Sequence, residues 1–216
     1  MTAAARPRPA AEQQPRRRAL VAEDRRRQIL DAALDVFAER GYAAARLEDV
    51  AARAGVAKGT IYLYFADKRS LFMDLVRGAA APMIERIGEL AATDAPIDQL
   101  LRGLVDKFQA EVLGTRRKEV FRLVIAEAGR FPEIAEFYHR DIVSRILPLL
   151  RDVLGRAARR GEIPVGVEQA LPHLFIAPFF MSITWDGLFG SIEPLDTRAL
   201  LNAHIDLLTG AGAKKP

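Results

Sequence analysis

Four residues with hydrogen-bonding side chains lie close together in one short segment of the chain. They are Lys58, Thr60, Tyr62 and Tyr64. On a helix they offer a cation, hydroxyl groups and aromatic edges, which suit contacts with base edges in the major groove of a DNA duplex. This segment is therefore the first candidate for a functional surface.

The residues around this segment have the spacing of a helix-turn-helix, over the sequence LEDVAARAGVAKGTIYLYF at 47–65. Two helices that cross steeply need a small residue at their contact, and Ala51 supplies it. The tight turn needs a residue that tolerates positive φ, and Gly55 supplies that. Val56 and Ile61 fall where apolar side chains close the small core, so we predict a helix-turn-helix.

The elements that must position this motif also follow from periodicity. Asp24 is the expected N-cap of the first helix, Gly41 its end, and Asp67 the N-cap of a long helix kinked at Pro82. Pro148 predicts a second kink. No stretch alternates with the period of a strand, so the fold class is all-α with about nine helices. The other expected helices are 47–54, 58–65, 97–113, 116–128, 132–160, 167–189 and 196–209.

Composition limits the remaining classes of function. The chain has 216 residues, 50% of them hydrophobic, and no cysteine. Disulfide frameworks, thiolate nucleophiles and cysteine-ligated metals are excluded, and we expect a cytoplasmic protein. No apolar signal-peptide core precedes residue 20. The longest uncharged run, Gln169 to Trp185, is shorter than the ~20 residues that cross a bilayer.

Positive charge is concentrated at the N-terminal end. Residues 1–28 contain eight Arg and three acidic residues, whereas the rest of the chain is nearly balanced. Low apolar content predicts a flexible basic arm over residues 1–22. Two interpretations stay open for its arginines: a solvated tail, or contacts of Arg16, Arg17, Arg18 or Arg25 with a minor groove or phosphates.

About 47 residues, RRQILDAALDVFAERGYAAARLEDVAARAGVAKGTIYLYFADKRSLF from Arg26 to Phe72, resemble the DNA-binding domain of the TetR family of transcriptional regulators. The run AGVAKGTIYLYFADK is highly specific for that family. The resemblance implies a helix-turn-helix domain at 23–69. It also implies a helical effector-binding and dimerisation domain at 70–216.

The resemblance also implies roles for individual residues. Lys58, Thr60 and Tyr62 should face base edges, and Tyr64 and Lys68 should contact phosphates. Gly59 should let the helix approach the DNA backbone closely.

Two positions depart from the family pattern, which usually has a hydroxyl residue at each. Arg46 could replace one phosphate contact by its charge. Ala57 has no side-chain hydroxyl group that could cap the recognition helix. The lack of this cap should weaken the helix by on the order of 1 kcal/mol.

A dimer is expected because one helix-turn-helix reads only a few base pairs, and two copies about 34 to 36 Å apart read a palindrome. The last two helices carry apolar stripes, and the resemblance implies that they pair with a second subunit as a four-helix bundle. The alternative is that the stripes face their own domain. The predicted interface residues are Leu171, Phe175, Phe179, Ser182, Leu200, His204, Leu207 and Leu208.

Apolar residues of the middle helices could line a cavity for an apolar small molecule, although ordinary core packing explains each of them singly. Arg122 could anchor a carboxylate, but a surface ion pair with Glu119 is favoured. The candidate cavity residues are Phe108, Val112, Phe121, Ile125, Tyr138, Ile142, Ile176, Phe180 and Trp185.

No catalytic or metal-binding pattern is present. His139, His173 and His204 lie on separate predicted helices without metal-site spacing, and we expect no cofactor. The sequence predicts a homodimeric, ligand-responsive repressor that releases a DNA operator when an effector binds. The alternatives are a constitutive or architectural DNA-binding protein and, as the weakest, a helical enzyme.

Overall fold

The computed structural model describes the backbone of residues 10–164 and 171–210, and the side chains of residues 20–164 and 172–210. Within these ranges it contains ten α-helices and no strand. A π-helical turn at Gln109–Leu113 extends the fifth helix, and another at His139–Val143 joins the seventh to the eighth. The helices are α1 (Ala10–Ala44), α2 (Leu47–Arg53), α3 (Lys58–Tyr62), α4 (Lys68–Ala91), α5 (Ile97–Phe108), α6 (Arg117–Glu127), α7 (Pro132–Tyr138), α8 (Ser144–Arg159), α9 (Leu171–Leu188) and α10 (Thr197–Thr209).

The all-α prediction is confirmed. Because the π-helical turn makes α7 and α8 one continuous helix, the described part of the chain holds nine continuous helices, the predicted number. Helices α4 and α8 continue through Pro82 and Pro148, and the kinks expected there stay predictions.

The chain divides into two compact units, one up to Asp74 and one from Leu75 onward. The sequence-based boundary lay slightly earlier, after residue 69. The difference arises because the first turns of α4 belong to the N-terminal unit. Helix α4 therefore contributes residues to both units.

The core of the N-terminal unit is apolar and aromatic. Ile29 and Phe37 of α1, Val50 of α2 and Ile61 of α3 are fully buried. The Phe72 ring packs edge-on against Phe37, with 5.3 Å between ring centroids. Edge-to-face aromatic packing of this kind adds to the energy of burial and holds α4 to α1.

Helix boundaries in this unit agree with the expected stop and start residues. Gly41 leaves the helical conformation at φ 73°, which ends the regular part of α1. At the start of α4, the Asp67 carboxylate accepts a hydrogen bond of 2.6 Å from the Ser70 amide. The Ser70 hydroxyl in return accepts one of 3.0 Å from the Asp67 amide. These reciprocal bonds fix where α4 begins.

The beginning of α1 was predicted wrongly. The helix starts at Ala10, so Asp24 is not its N-cap and residues 10–22 are helical rather than a flexible arm. Residues 1–9 lie outside the described part. Residues 10–22 contain four Ala, three Arg and two Gln, which favour helix even where no apolar face exists. Their low apolar content therefore indicated the lack of a core face, not the lack of a helix.

In the C-terminal unit, α5 is strongly amphipathic. Its apolar residues recur at steps of one, three and four, and all six are buried. The amide of Ile97 at the start of α5 donates a 2.6 Å hydrogen bond to the carboxylate of Glu162, which follows α8. This bond compensates for the N-cap residue, Pro96, which offers no side-chain acceptor. The buried residues of α5 are Ile97, Leu100, Leu101, Leu104, Val105 and Phe108.

Candidate nucleic-acid interface and effector cavity

Helices α2 and α3 form the predicted helix-turn-helix. Gly55 adopts φ +63°, and the Val56 amide donates a 3.0 Å hydrogen bond to the Ala51 carbonyl, which closes the turn. Ala51 is 4% exposed and Ile61 is fully buried, so the two helices meet through these side chains. Val56 is half-buried rather than buried. The motif is held by its own small core.

Helix α3 presents one face to solvent. Lys58, Gly59 and Tyr62 are exposed on it, and Tyr62 keeps 49% of its surface accessible. Thr60 and Tyr64 are half-buried, so part of each side chain is still reachable. The exposed face thus combines a cation, a bare backbone segment and a phenol, which is the set expected for a helix that enters a major groove.

One exposed residue on this surface escaped the sequence analysis. Leu63, the C-cap of α3, is 81% exposed, whereas the neighbouring Ile61 is fully buried. From helical periodicity alone, a leucine is expected in the core, so the sequence did not indicate that Leu63 belongs to a functional surface. Its position beside Tyr62 makes it part of the candidate interface.

Gly59 lies at the first turn of α3 with open space in front of it. No heavy atom lies within 4 Å of the position where a side chain would begin. The protein itself therefore does not require a glycine here. Close approach of another molecule to the backbone is the remaining physical reason for one.

Lys58 is paired with a carboxylate in the free protein. Its ammonium forms an ion pair with Glu48, and both side chains are about half exposed. The hydrogen bond between them lowers the pKa of Glu48 and raises the pKa of Lys58. A DNA phosphate or base would compete with Glu48 for this cation.

Lys68 has a structural role that the resemblance did not indicate. Its ammonium donates hydrogen bonds to the carbonyls of Tyr42 at 2.7 Å and Ala43 at 3.0 Å. It also lies 4.7 Å from the centre of the Tyr42 ring. Lysine commonly binds carbonyls at a helix C-terminus. The predicted phosphate contact therefore has at most one remaining N–H donor.

The other cationic side chains of the N-terminal unit differ in whether they are already paired with a carboxylate. Arg40 binds Asp49 at 2.6 Å and Arg53 binds Glu39 at 2.7 Å, so both are engaged within the unit. Arg46, the N-cap residue of α2, is exposed and makes no side-chain cap hydrogen bond. Among the described residues Arg46 and Arg69 form no ion pair, which leaves both available to an anion. The sequence analysis had not singled out Arg69.

The C-terminal unit contains an apolar cavity of about 100 Å³. Seven of the nine predicted residues line it, contributed by α5, α6, α7, α9 and the two π-helical turns. The sequence analysis missed Met83 and Ile87 of α4, because an apolar residue on a long helix gives no sign of which neighbour it faces. The seven predicted residues that line the cavity are Phe108, Val112, Phe121, Tyr138, Ile142, Ile176 and Phe180.

Two predicted cavity residues are elsewhere. Ile125 is 42% exposed on α6. Trp185 donates its indole N–H to the carbonyl of Glu193 at 2.8 Å, and its ring packs at a tilt against Phe189, with 4.9 Å between ring centroids. Both were chosen for their apolar character, but only the rotation of each helix in the packed unit decides whether a residue faces inward.

The Tyr138 hydroxyl is the main polar group of the cavity wall. Burial raises the pKa of Tyr138 to about 12. This phenol therefore stays neutral at physiological pH and can donate or accept one hydrogen bond. The rest of the lining favours apolar ligand atoms.

The predicted dimer residues on α9 face inward. Phe175 and Phe179 line the cavity, and Ser182 is fully buried with its hydroxyl bonded to the Pro178 carbonyl at 2.8 Å. The side chain of Leu171 lies outside the described residues. These residues cannot form the predicted interface in this arrangement, because α9 is apolar on all sides and its outer face is a different one.

The outward stripe of α9 consists of Leu174 (50% exposed), Met181 (45%) and Leu188 (63%). On α10, Leu207 is 82% exposed, in agreement with its predicted outward position. Leu200, His204 and Leu208 are half-buried. Together these residues give α9 and α10 a partly exposed apolar surface, which we call the α9–α10 face.

Arg122 is not paired with Glu119 as expected. It binds Asp186 of α9, whereas Glu119 is held by Arg116 at 3.0 Å. No group of three or more His, Asp or Glu in the described part of the chain could hold a metal ion. None of the described helices has the length and apolar character needed to cross a membrane.

The chain matches two family models. Residues 29–75 match "Bacterial regulatory proteins, tetR family" and residues 97–202 match "Tetracyclin repressor-like, C-terminal domain". It is 32% identical over 152 residues to the HTH-type transcriptional repressor BepR of Brucella suis, covering 68% of this chain and 73% of BepR. It is 27% identical over 175 residues to the fatty acid metabolism regulator protein of Bacillus subtilis, covering 81% of this chain and 83% of that protein.

A solved structure supports the same assignment. The B. subtilis regulator FadR in complex with stearoyl-CoA superimposes with a TM-score of 0.67 at 25% identity, over 84% of this chain and 96% of that one. The two family models cover the helix-turn-helix and all the cavity-lining residues except Met83 and Ile87. The chain therefore belongs to the TetR family of bacterial transcriptional regulators.

Proposed function

We propose that this protein is a homodimeric repressor that leaves a palindromic operator when an amphipathic or apolar effector fills the cavity of its C-terminal unit. The observation that carries the DNA-binding part is the exposed face of α3. Lys58, Gly59, Tyr62 and Leu63 are accessible there, on a motif whose own core is closed by Ala51 and Ile61.

A second copy of the chain is the proposed occupant of the α9–α10 face. Leucines that are 50–82% exposed at 174, 188 and 207 leave apolar surface in water, which association would remove. A twofold pair also supplies the second recognition helix that a palindrome requires.

The proposed effector places an alkyl chain in the cavity. The lining is apolar except for Tyr138, and two relatives support an acyl ligand: a fatty acid metabolism regulator and a structure with stearoyl-CoA. The free cavity of about 100 Å³ is smaller than the 150 Å³ cavity that accommodates benzene. An acyl chain must therefore push the cavity walls apart.

Helix α4 would transmit this displacement. Met83 and Ile87 are cavity walls, whereas Lys68 and Asp74 near the other end of the same helix bind α1. The Arg26–Asp74 ion pair measures 2.8 Å. A shift of α4 on effector binding would alter the placement of the recognition helices, so that DNA and effector favour different states.

Selection of bound duplexes from a random pool tests the DNA-binding proposal. The wild-type protein should enrich an inverted repeat whose half-sites are about one helical turn apart. The Tyr62→Ala variant should lose that enrichment because it removes an exposed phenol without opening the core. The Tyr138→Phe variant, altered in the cavity, is the matched control and should select the same sequence. Absence of an inverted repeat would contradict the proposal.

Titration with palmitoyl ligands tests the effector proposal. At fixed salt, a ligand at 100 times its Kd should stabilise the protein by about 2.7 kcal/mol and release the selected operator. The Val112→Trp variant, which fills the cavity, should bind the operator but not respond. If the ligand stabilises the protein but does not change its operator affinity, the protein binds both ligand and DNA without coupling between them. That outcome would reject the repressor mechanism.

A further inference from the structure

Two cations converge on one carboxylate oxygen where α6 meets α9. The ammonium of Lys118 lies 3.0 Å from Oδ2 of Asp186, and the guanidinium of Arg122 binds the same oxygen. The Arg122 Nε also donates to the backbone carbonyl of Ile183 at 3.3 Å. We call Lys118, Arg122 and Asp186 the α6–α9 cation cluster.

The cluster carries one more positive than negative charge, and it is not sealed from solvent. The three side chains keep 30%, 31% and 35% of their surface exposed. The nearest acidic residue on α6, Glu119, is bound to Arg116 at 3.0 Å. An additional anion would therefore meet two cations whose charge a single carboxylate does not neutralise.

The cluster lies within about one helical turn of the cavity wall on both helices. On α6, Phe121 lines the cavity and is the residue before Arg122. On α9, Ile183 lines the cavity, and its carbonyl accepts the Arg122 hydrogen bond. A ligand whose tail occupies the cavity beside Phe121 and Ile183 would have its polar end near these cations.

Gly187 makes room for this arrangement. A Cβ at this position would lie 2.9 Å from Nε of Arg122 and 3.1 Å from its Cδ. The guanidinium therefore lies directly over the backbone of α9, and a larger residue at 187 would displace it.

We propose that the α6–α9 cation cluster binds the anionic head group of an amphipathic effector whose alkyl tail fills the cavity. The head group takes the place of Asp186 as the partner of Lys118 and Arg122, and both carboxylate and phosphate have the required chemistry. This inference rests on the proposed function, since it assigns the polar end of the same ligand.

The test compares ligands that share a tail and differ in the head group: palmitate, palmitoyl-CoA and neutral methyl palmitate. Affinities are measured with the full-length protein, at concentrations below micelle formation. The wild-type protein should bind at least one of the two anionic ligands at least tenfold more tightly than the ester. Whichever anion binds better identifies a carboxylate or a phosphate-bearing head group, and either result supports the proposal.

Variants separate head-group recognition from damage to the cavity. Arg122→Gln and Lys118→Gln should each lower the affinity for the anionic ligands about tenfold and leave the affinity for methyl palmitate unchanged. Asp186→Asn should strengthen anionic ligands, because it removes the competing charge. Arg116→Gln, at the N-cap of α6 and paired with Glu119, is the matched control and should not change the affinity for any of the three ligands.

The possible failures are distinguishable. Equal affinity for palmitate, palmitoyl-CoA and methyl palmitate in the wild-type protein would overturn the head-group site and leave the cavity proposal intact. The head-group site would also be overturned if Arg122→Gln and Lys118→Gln weakened the binding of methyl palmitate as much as the binding of the anionic ligands. If none of the three ligands binds, both the head-group site and the acyl effector are rejected.

Discussion

At the scale of single residues, a substitution at Gly59 should change folding stability and operator affinity in opposite directions. Its side-chain position is open, so Gly59→Ala should fold and be more stable by about 0.5–1 kcal/mol, because alanine favours helix. The added methyl group would stand between α3 and the DNA backbone. We expect operator affinity to fall about tenfold or more, equal to ~1.4 kcal/mol.

Gly88→Ala is the matched control for this change. Gly88 also lies in a helix with no heavy atom within 4 Å of its side-chain position, but it belongs to the second half of α4. It should gain similar stability without losing operator affinity. Urea unfolding and fluorescence anisotropy with the selected duplex measure the two quantities. Unchanged affinity in Gly59→Ala would show that α3 does not approach the duplex through its backbone.

Leu63 is the second residue with a specific expectation. A side chain that is 81% exposed beside Tyr62 is suited to contact the methyl group of a thymine. Replacing the contacted thymine by deoxyuridine should weaken wild-type binding about fourfold, since one buried methyl group contributes ~0.8 kcal/mol. Leu63→Ala should bind both duplexes equally.

The control for Leu63 is Leu207→Ala, which alters an exposed leucine on α10 and should keep the wild-type preference for thymine. Each thymine of the selected half-site is replaced in turn. If no position distinguishes thymine from deoxyuridine in the wild-type protein, Leu63 has no such contact.

At the scale of secondary structure, α3 lacks the cap that α4 has. Ala57 is its N-cap, in extended conformation, and makes no side-chain hydrogen bond, whereas Asp67 caps α4. The Thr60 amide already donates to the Ala57 carbonyl at 2.8 Å, so Ala57→Ser should supply an acceptor for the Gly59 amide and stabilise the N-terminal unit by about 1 kcal/mol. Ala52→Ser, an exposed position inside α2, should not stabilise it. Urea unfolding of both variants checks this, and equal effects would contradict the capping argument.

A half-buried histidine, His204, lies where α10 packs against α9. Pro178 has no N–H for the carbonyl of Leu174, and the His204 imidazole interacts with that backbone group. Burial lowers the pKa of His204 below its usual 6.5, an effect that the interaction with Leu174 only partly opposes. In the unfolded chain the imidazole takes up a proton at higher pH than in the folded chain. Stability should therefore decrease as pH falls below about 6.5.

Urea unfolding at pH 7.5 and 5.5 measures this effect. His204→Gln should reduce the loss of stability between these pH values, whereas His173→Gln, at an exposed position of α9, should not. The carboxylates with lowered pKa, such as Glu39 and Glu162, titrate below about 4.5 and do not contribute in this window. An identical pH dependence in the wild-type protein and His204→Gln would contradict the assignment.

At the scale of the whole molecule, the α9–α10 face is the proposed dimer interface. Met181→Glu and Leu207→Glu place charges on its two helices without entering the core. Each should convert the dimer to a monomer in analytical ultracentrifugation. Operator affinity should fall by at least ~100-fold, because the second half-site is lost. Ile125→Glu, an exposed apolar residue of α6, is the control; dimers that persist in both variants would place the interface elsewhere.

Local patterns in the sequence determined the helical fold and the helix-turn-helix. The 3.6-residue period, Gly55 at positive φ and the small Ala51 depend on neighbours within a few positions, so they can be recognised without tertiary structure. The same holds for Asp67 as the cap of α4. Low apolar content at the N-terminus was misleading, since helix propensity does not need an apolar face.

Only the tertiary structure decided which side of each apolar helix faces inward. Helix α9 is apolar around its whole circumference, so Phe175 and Phe179 could equally have faced a partner; packing against α5, α6 and α8 placed them in the cavity. Lys68 and Arg122 were likewise assigned by partners far away in sequence, the Tyr42 carbonyl and Asp186. Periodicity gives the angle between residues on one helix. It does not give the rotation of that helix against its neighbours.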